Sequence, residues 1–456
     1  MKNSYSYFQN RECEHFPCHE VKGEEFNCLF CYCPLYTLEE KCGGNFVYTN
    51  SGVKDCSNCL IPHSTEGYDY INAKFQTFSQ SRKMQKKQDR KQLGRDLDVS
   101  IASVSPLDES AMEKARERQI QLAKPPGSLG KLEELSVQLA GITGHIHNQI
   151  EKKHLLVFAA DNGVVEEGVS CAPQSVTLQQ TINLTKAKSG ASVLCKHFGC
   201  DITVCDMGVN ADVKEPAVLN RKIAYGTQNI AKGPAMTREQ AVQAILTGIE
   251  LAASTDADVL GVGEMGIGNT TTSSAVLSVL LNADVDAVTG RGGGITDDSF
   301  RRKKAVIRQA IAVNTPDTND VIDVLSKVGG FDIAAMCGAF IGASATKRPV
   351  VIDGFISAVA ALCAVRMCPT VKGYLVPSHA SFEIGYKMVM DTLELQPMFL
   401  LEMRLGEGSG CPLAFEAISA ACAVINDMAT FDQAGINDDY LNEIRVGDKF
   451  TVEETE

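Results

Sequence analysis

From residue 108 onward, short apolar runs alternate with longer stretches of helical periodicity. The runs at 154–160, 202–207, 257–262, 349–352 and 373–376 have strand length and are bounded by turn residues. They end in polar or glycine-rich tips: Asp161-Asn162-Gly163, Asp206-Met207-Gly208, Gly263-Glu264-Met265-Gly266, Asp353-Gly354 and Ser378-His379. A helix start at 105–108 leads into an apolar stripe through Met112, Ile120 and Leu122, broken at Pro125-Pro126-Gly127. Further helices are predicted at 132–143 and 414–428. Strand, polar tip and helix in repetition predict an α/β domain, a parallel sheet flanked by crossover helices. Such sheets bind ligands beyond the carboxyl ends of their strands, so the tips form one candidate rim.

The first 71 residues break this pattern. They hold too few aliphatic residues for an ordinary core, yet eight of the 17 cysteines: Cys13, Cys18, Cys28, Cys31, Cys33, Cys42, Cys56 and Cys59. Cys28–Cys31 and Cys56–Cys59 are two-residue knuckles, a spacing that lets both thiolates reach one tetrahedral ion. His15, His19 and His63 are further candidates. Eight thiols suffice for two four-coordinate zinc ions, with an iron–sulfur cluster the alternative. Closed sites of that kind hold a small domain together and leave no position for catalysis. Residues 72–105 read as a basic linker. Positions 81–95 carry seven basic residues and one acidic one, as expected of a solvated helix or tether. Residues 106–456 form the α/β part.

The whole chain has 456 residues and a formal net charge of -13, which argues against a general nucleic-acid binder. No apolar run approaches about 18 residues, so no membrane span is expected. The N-terminus lacks the apolar stretch of a secretory signal, and a cytoplasmic protein is expected.

Candidate chemistry concentrates in glycine-rich turns. Residues 261–275 run from a strand through Gly266 and Gly268 to Asn269, Thr270 and a helix of small residues. Glycines allow close backbone approach, and a helix N-terminus favours an anion. Asn269 or Thr270 is the expected cap. The structural alternative is a tight turn whose helix packs closely on the sheet. The stretch also contains G-x-G-x-x-G at Gly261, Gly263 and Gly266, which admits a dinucleotide-dependent oxidoreductase, although Glu264 inside the motif would oppose a pyrophosphate. A second glycine loop, with Gly292 and Gly293, precedes Arg301, Arg302, Lys303 and Lys304, of which one member is free to fold inward. Glu407 stands alone among glycines in 404–410, either supporting a helix dipole or meeting a flat ligand.

These pieces together resemble the nicotinate-nucleotide–dimethylbenzimidazole phosphoribosyltransferase family. The motifs run in family order: 124–131 (KPPGSLGK), 158–164 (FAADNGV), 168–170 with 176–179, 263–271 (GEMGIGNTT), 289–292, 353–357 (DGFIS), 378–381 (SHAS) and 404–410 (RLGEGSG). They span roughly residues 108–440. Cys171 and Cys411 depart from the small residues expected there. Residues 1–71 resemble a separate zinc-ribbon-like cysteine-rich domain.

The resemblance implies a Rossmann-like sheet with a smaller helical domain built from both ends of the enzyme region, and a homodimer. It implies transfer of the phosphoribosyl group of nicotinate mononucleotide to dimethylbenzimidazole, with Glu407 as general base and no catalytic cofactor. Gly266, Gly268, Asn269 and Thr270 would cradle the phosphate, with Lys303 as charge partner and Gly292 and Gly293 alongside. Glu264 would lie near the ribose. Gln179 and Ser381 would contact substrate, and Met265 and Leu405 would wall the aromatic base. A metal-binding regulator on an inactive fold is the remaining alternative. The preferred base is not legible.

Overall fold

The computed structural model describes residues 4–21 and 25–441, without the side chains of residues 79–90. The basic side chains expected between 81 and 90 and the chain beyond 441 therefore lie outside the described residues. The chain divides into two compact units, Met1–Gln92 and Leu93–Glu456. The division falls within one helix, Gly67–Ala102, in the stretch read as a linker.

In the first unit, β1 (Val47–Tyr48) and β2 (Lys54–Asp55) form a small antiparallel pair. Among the described residues its apolar cluster is Leu35, Cys42 and Ile71 with partly buried neighbours such as Phe30, Phe46 and Ile61. A core that small needs another cohesive force.

The second unit is built on β3 (Lys153–Ala160), β4 (Asp201–Gly208), β5 (Val218–Asn220), β6 (Val259–Met265), β7 (Val350–Ile352) and β8 (Leu375–Pro377). All pairs are parallel, in the order β5-β4-β3-β6-β7-β8. Five of the strands are those expected from the apolar runs. β5 was missed because it buries Val218 alone, whereas β7 and β8, equally short, are buried throughout. The order reverses between β3 and β6, which sets the ligand crevice of such sheets at that point.

Alternation along β3 explains why both faces are covered. Leu156, Phe158 and Ala160 face a core shared with the helices Arg238–Ser254, Phe331–Ala345 and Phe355–Met367. Leu155, Val157 and Ala159 face a second core with Gly190–Phe198 and Cys411–Asp427. A strand buried on both sides reads as an unbroken apolar run. The smaller helical layer joins the two ends of the unit: Ala111, Ala115, Ala140 and Ile425 pack together across Glu109–Gln121, Lys131–Thr143 and Cys411–Asp427. Asp108 caps the first of these, its carboxylate accepting from the Ala111 N–H at 2.9 Å. The buried positions of that helix are Ala111, Ala115 and Gln119, while Ile120 is half exposed, so the expected stripe is rotated.

Glycine sets the tightest helix contact. A Cβ on Gly248 would fall 1.9 Å from the Ala335 carbonyl oxygen, and one on Gly338 1.9 Å from that of Ile245. Arg238–Ser254 and Phe331–Ala345 thus meet backbone to backbone. Gly248→Val is expected to cost about 1–3 kcal/mol through overpacking. Thermal denaturation checks this, and an unchanged melting temperature would show the helices free to separate.

Candidate active site

The carboxyl ends of β6 and β7, with the loops around them, enclose a cavity of about 270 Å³. The strand tips supply its floor. Glu264 ends inside it, 7 % exposed, because the last residues of β6 are buried on both faces. Its Oε2 accepts from Asn269 Nδ2, and its Oε1 accepts from the Glu407 N–H at 3.4 Å. Asn269 Nδ2 also donates to Asp332 Oδ2 at 3.1 Å. Asn269 is therefore not the helix cap expected of it. Gly268 takes that place with φ 96°, and no side chain caps the helix Asn269–Leu281, whose first turn lines the cavity. An uncapped N-terminus lends itself to an anion.

Lys303 is the member of the basic run that folds inward, 1 % exposed on the helix Asp297–Asn314. Its Nζ donates to the neutral Thr270 hydroxyl at 2.8 Å. Burial lowers its pKa to about 8, with Glu383 pulling the other way. The second glycine loop closes over this pair. A Cβ on Gly292 would stand 2.8 Å from Thr270 Oγ1 and 3.6 Å from Lys303 Nζ. Gly293 and Ser381 also line the cavity.

Glu407 reaches the same cavity from the 404–410 loop and is 4 % exposed. Its φ is 63°, between Gly406 and Gly408 at 83° each, so three successive residues are left-handed. Oε1 accepts from Gln180 Nε2 at 3.2 Å and Oε2 from the Ala191 N–H at 3.2 Å, in the first turn of Gly190–Phe198. Asp353, beyond β7, fixes the loop by accepting from the N–H groups of Gly408 (3.0 Å) and Gly410 (2.7 Å). Leu405 stands at the mouth, more than half exposed, and Met265 is buried.

Gln179 is a correction. It is exposed and off the cavity wall, and Gln180 holds the place expected of it. On Ser175–Thr185 the buried positions are Thr177, Thr181 and Leu184, so the inward face runs through 180, not 179. There is also a second layer of acids: Asp353, expected on the rim of strand tips but given no role there, and Asp332, which the sequence pattern did not single out. Asp332 is two residues past Gly330 at the start of Phe331–Ala345, and Asp353 stands between the end of β7 and Gly354. The glycines of the dinucleotide motif have another use. Gly261 and Gly263 lie within β6, where a Cβ would stand 2.6 Å from Cys411 Cβ and 2.4 Å from the Glu407 carbonyl oxygen. They admit the Glu407 loop, which removes the basis of the oxidoreductase alternative. Cys411 lies fully buried beneath the sheet, and Cys171 is exposed at the cavity edge.

Burial dominates the electrostatics. It pushes Glu264 up to about 8, helped by the charge of Asp332, and raises Asp353 to about 7 and Asp332 to about 6. His379, buried beside Ser378, falls to about 4.

In the first unit, the ligand atoms of Cys18, Cys31 and His63 lie within 4.8 Å of one another. Of the eight candidate cysteines, Cys42 and Cys59 are buried, Cys28, Cys33 and Cys56 partly so, and Cys13, Cys18 and Cys31 exposed.

A family model described as a phosphoribosyltransferase matches residues 104–436, and one described as a cysteine-rich small domain matches residues 4–87. The α/β unit is therefore a phosphoribosyltransferase. Relatives named nicotinate-nucleotide–dimethylbenzimidazole phosphoribosyltransferase include that of Clostridium tetani, 50% identical over 353 residues, 76% of this chain and 98% of the relative. That of Ruminiclostridium cellulolyticum is 52% identical over 340 residues, 74% of this chain and 97% of its own. A solved structure of the same name from Thermus thermophilus matches with a TM-score of 0.69 at 36% identity, covering 73% of this chain and 99% of that one. The chain belongs to the nicotinate-nucleotide–dimethylbenzimidazole phosphoribosyltransferase family, with a cysteine-rich domain attached.

The raised acids make stability depend on pH. Glu264 binds a proton up to about 8 in the folded chain and up to 4.5 when unfolded. The folded state thus holds more protons across that window, and stability falls as pH rises through it. Lys303, depressed from 10.5 to about 8, acts above this window, where its contribution is lost as pH falls. Glu264→Gln should therefore raise the melting temperature of the ligand-free chain by several degrees at pH 8 and little at pH 5. A difference that does not widen with pH would contradict the burial argument.

Proposed function

We propose that the chain transfers the phosphoribosyl group of nicotinate mononucleotide to dimethylbenzimidazole, giving α-ribazole phosphate and nicotinate in cobalamin nucleotide-loop assembly. The observation that carries this reading is that a buried carboxylate, Glu407, and the Lys303–Thr270 pair line one cavity.

In this reading the phosphate sits against Lys303, Thr270 and the first turn of Asn269–Leu281, beside Gly266, Gly268, Gly292 and Gly293. The free ring nitrogen of the base attacks the anomeric carbon as the bond to the pyridinium nitrogen breaks. That electron pair returns to nicotinate, which needs no proton. Attack from the opposite face inverts the centre. The other ring nitrogen gives its proton to Glu407, so one carboxylate suffices. Gln180 and the Ala191 N–H hold that carboxylate in place. Glu264 faces the ribose, while Met265 and Leu405 wall the base. Binding, orientation and one proton transfer complete the reaction without a catalytic cofactor.

Two further parts belong to the reading. The cysteine-rich unit is held by structural zinc, supported by its Cys/His group and its small apolar cluster. The active form is a homodimer, supported by Leu405, exposed on the cavity wall, and by the exposed apolar residues Phe382, Ile384, Leu400 and Leu401 in the same 382–405 stretch. Among the described residues no helix is long and apolar enough to cross a membrane.

Glu407→Gln should lower turnover about 10²–10⁴-fold while leaving nicotinate mononucleotide binding intact. Chromatography of products from the mononucleotide and a panel of bases reads the first, and calorimetry the second. A near-native rate would remove Glu407 from its role, and no α-ribazole phosphate from the native chain would remove the reaction.

A further inference from the structure

The sulfurs and imidazoles of the first unit fall into two groups that cross the order of the sequence. The first group centres on His63, which is 2 % exposed. Its Nδ1 lies 3.0 Å from the Asn27 carbonyl oxygen, which only accepts, so the ring proton sits on Nδ1. Nε2 is left with its lone pair directed at Cys18 Sγ, 3.7 Å away. A metal-ligating histidine is oriented in this way by its second nitrogen. Cys31 completes the observed triad. Cys28 joins it through the knuckle, where the Cys31 N–H donates to the Cys28 carbonyl at 3.2 Å. Cys28 Sγ accepts from the Asn10 N–H at 3.4 Å.

The second group is Cys33, Cys42, Cys56 and Cys59, which line a cavity with Lys54 that Cys31 and His63 of the first group also reach. The Cys59 N–H donates to the Cys56 carbonyl at 2.9 Å, closing the other knuckle. A Cβ on Gly44 would stand 2.8 Å from Cys59 Sγ and 3.7 Å from Cys42 Sγ, and the Gly44 N–H donates to Cys42 Sγ at 3.4 Å. Cys33 packs, partly buried, against the cluster that contains Cys42.

Lys54 tells the two groups apart. It is 5 % exposed, and its Nζ donates to the carbonyls of Tyr36 (3.1 Å) and Glu39 (2.8 Å) and to Cys42 Sγ (3.3 Å), 4.4 Å from the Phe46 ring centre. Carbonyls and rings are neutral, and a buried ammonium calls for an anion. Four thiolates around a divalent cation leave two negative charges, whereas three thiolates and an imidazole leave one. The lysine stands beside the group with the larger excess.

We infer that this unit holds two divalent cations, one on Cys18, Cys28, Cys31 and His63 and one on Cys33, Cys42, Cys56 and Cys59. Lys54 offsets the charge of the all-sulfur site, and Cys13, exposed and outside both groups, is a free thiol. The inference rests on the metal reading of this unit and adds the ligand set, replacing Cys13 by His63.

The test uses the full chain loaded with cadmium and read by cadmium NMR, with metal content measured alongside. Two resonances are expected, one in the all-sulfur range and one in the range of three sulfurs and a nitrogen. His63→Cys should move the second into the all-sulfur range with both ions kept. Cys13→Ser should keep both ions, and iodoacetamide should modify Cys13 in the loaded native chain while sparing the seven ligand thiols. Loss of an ion in Cys13→Ser, protection of Cys13, or two all-sulfur resonances in the native chain would overturn the ligand set while leaving the metal reading standing. A chain that binds no divalent metal would overturn both.

Discussion

The site depends on the close approach of one loop to one strand. Residues 404–410 lie against β6 at a distance that only Gly261 and Gly263 permit, with Cys411 and the Glu407 backbone filling the space of the absent side chains. Asp353 then fastens the loop by two N–H groups. Without that contact Glu407 would stand away from Glu264 and the first turn of Asn269–Leu281. The glycines of the strand act as a packing surface and not as a phosphate turn, although their spacing imitates one.

Much of the architecture was legible because a parallel sheet writes its strands as unbroken apolar runs with polar tips. Five of six strands, the helical layer at the two ends and the inward fold of Lys303 follow from that pattern or from the family resemblance. The misses have local causes. β5 buries one residue of three and so writes no apolar run. Gln179 and Gln180 are adjacent identical residues, and only the phase of Thr177, Thr181 and Leu184 distinguishes them. Asn269 carries the residue type of a cap, yet two buried acids compete for its amide and win. Asp332 and Asp353 lie far from Glu407 in sequence, so their shared environment exists only after folding.

The two units solve cohesion by different means. The α/β unit buries continuous apolar layers on both faces of a sheet. The cysteine-rich unit has a small cluster and sets five of its cysteines, its buried histidine and its buried lysine around one cavity. The polar interior of the first unit is thus made of metal-ligand residue types, whereas that of the second is made of acids, hydroxyls and a lysine.

Glu407 adopts a left-handed backbone, a conformation that costs a residue with a side chain roughly 1–2 kcal/mol and glycine almost nothing. The fold would gain by dropping that side chain, since its neighbours on both sides are already glycine. Selection for stability alone therefore drifts toward a smooth, acid-free turn. The glutamate stands there against the preference of its own backbone, and a descendant selected for stability alone would have that position among the first to erode.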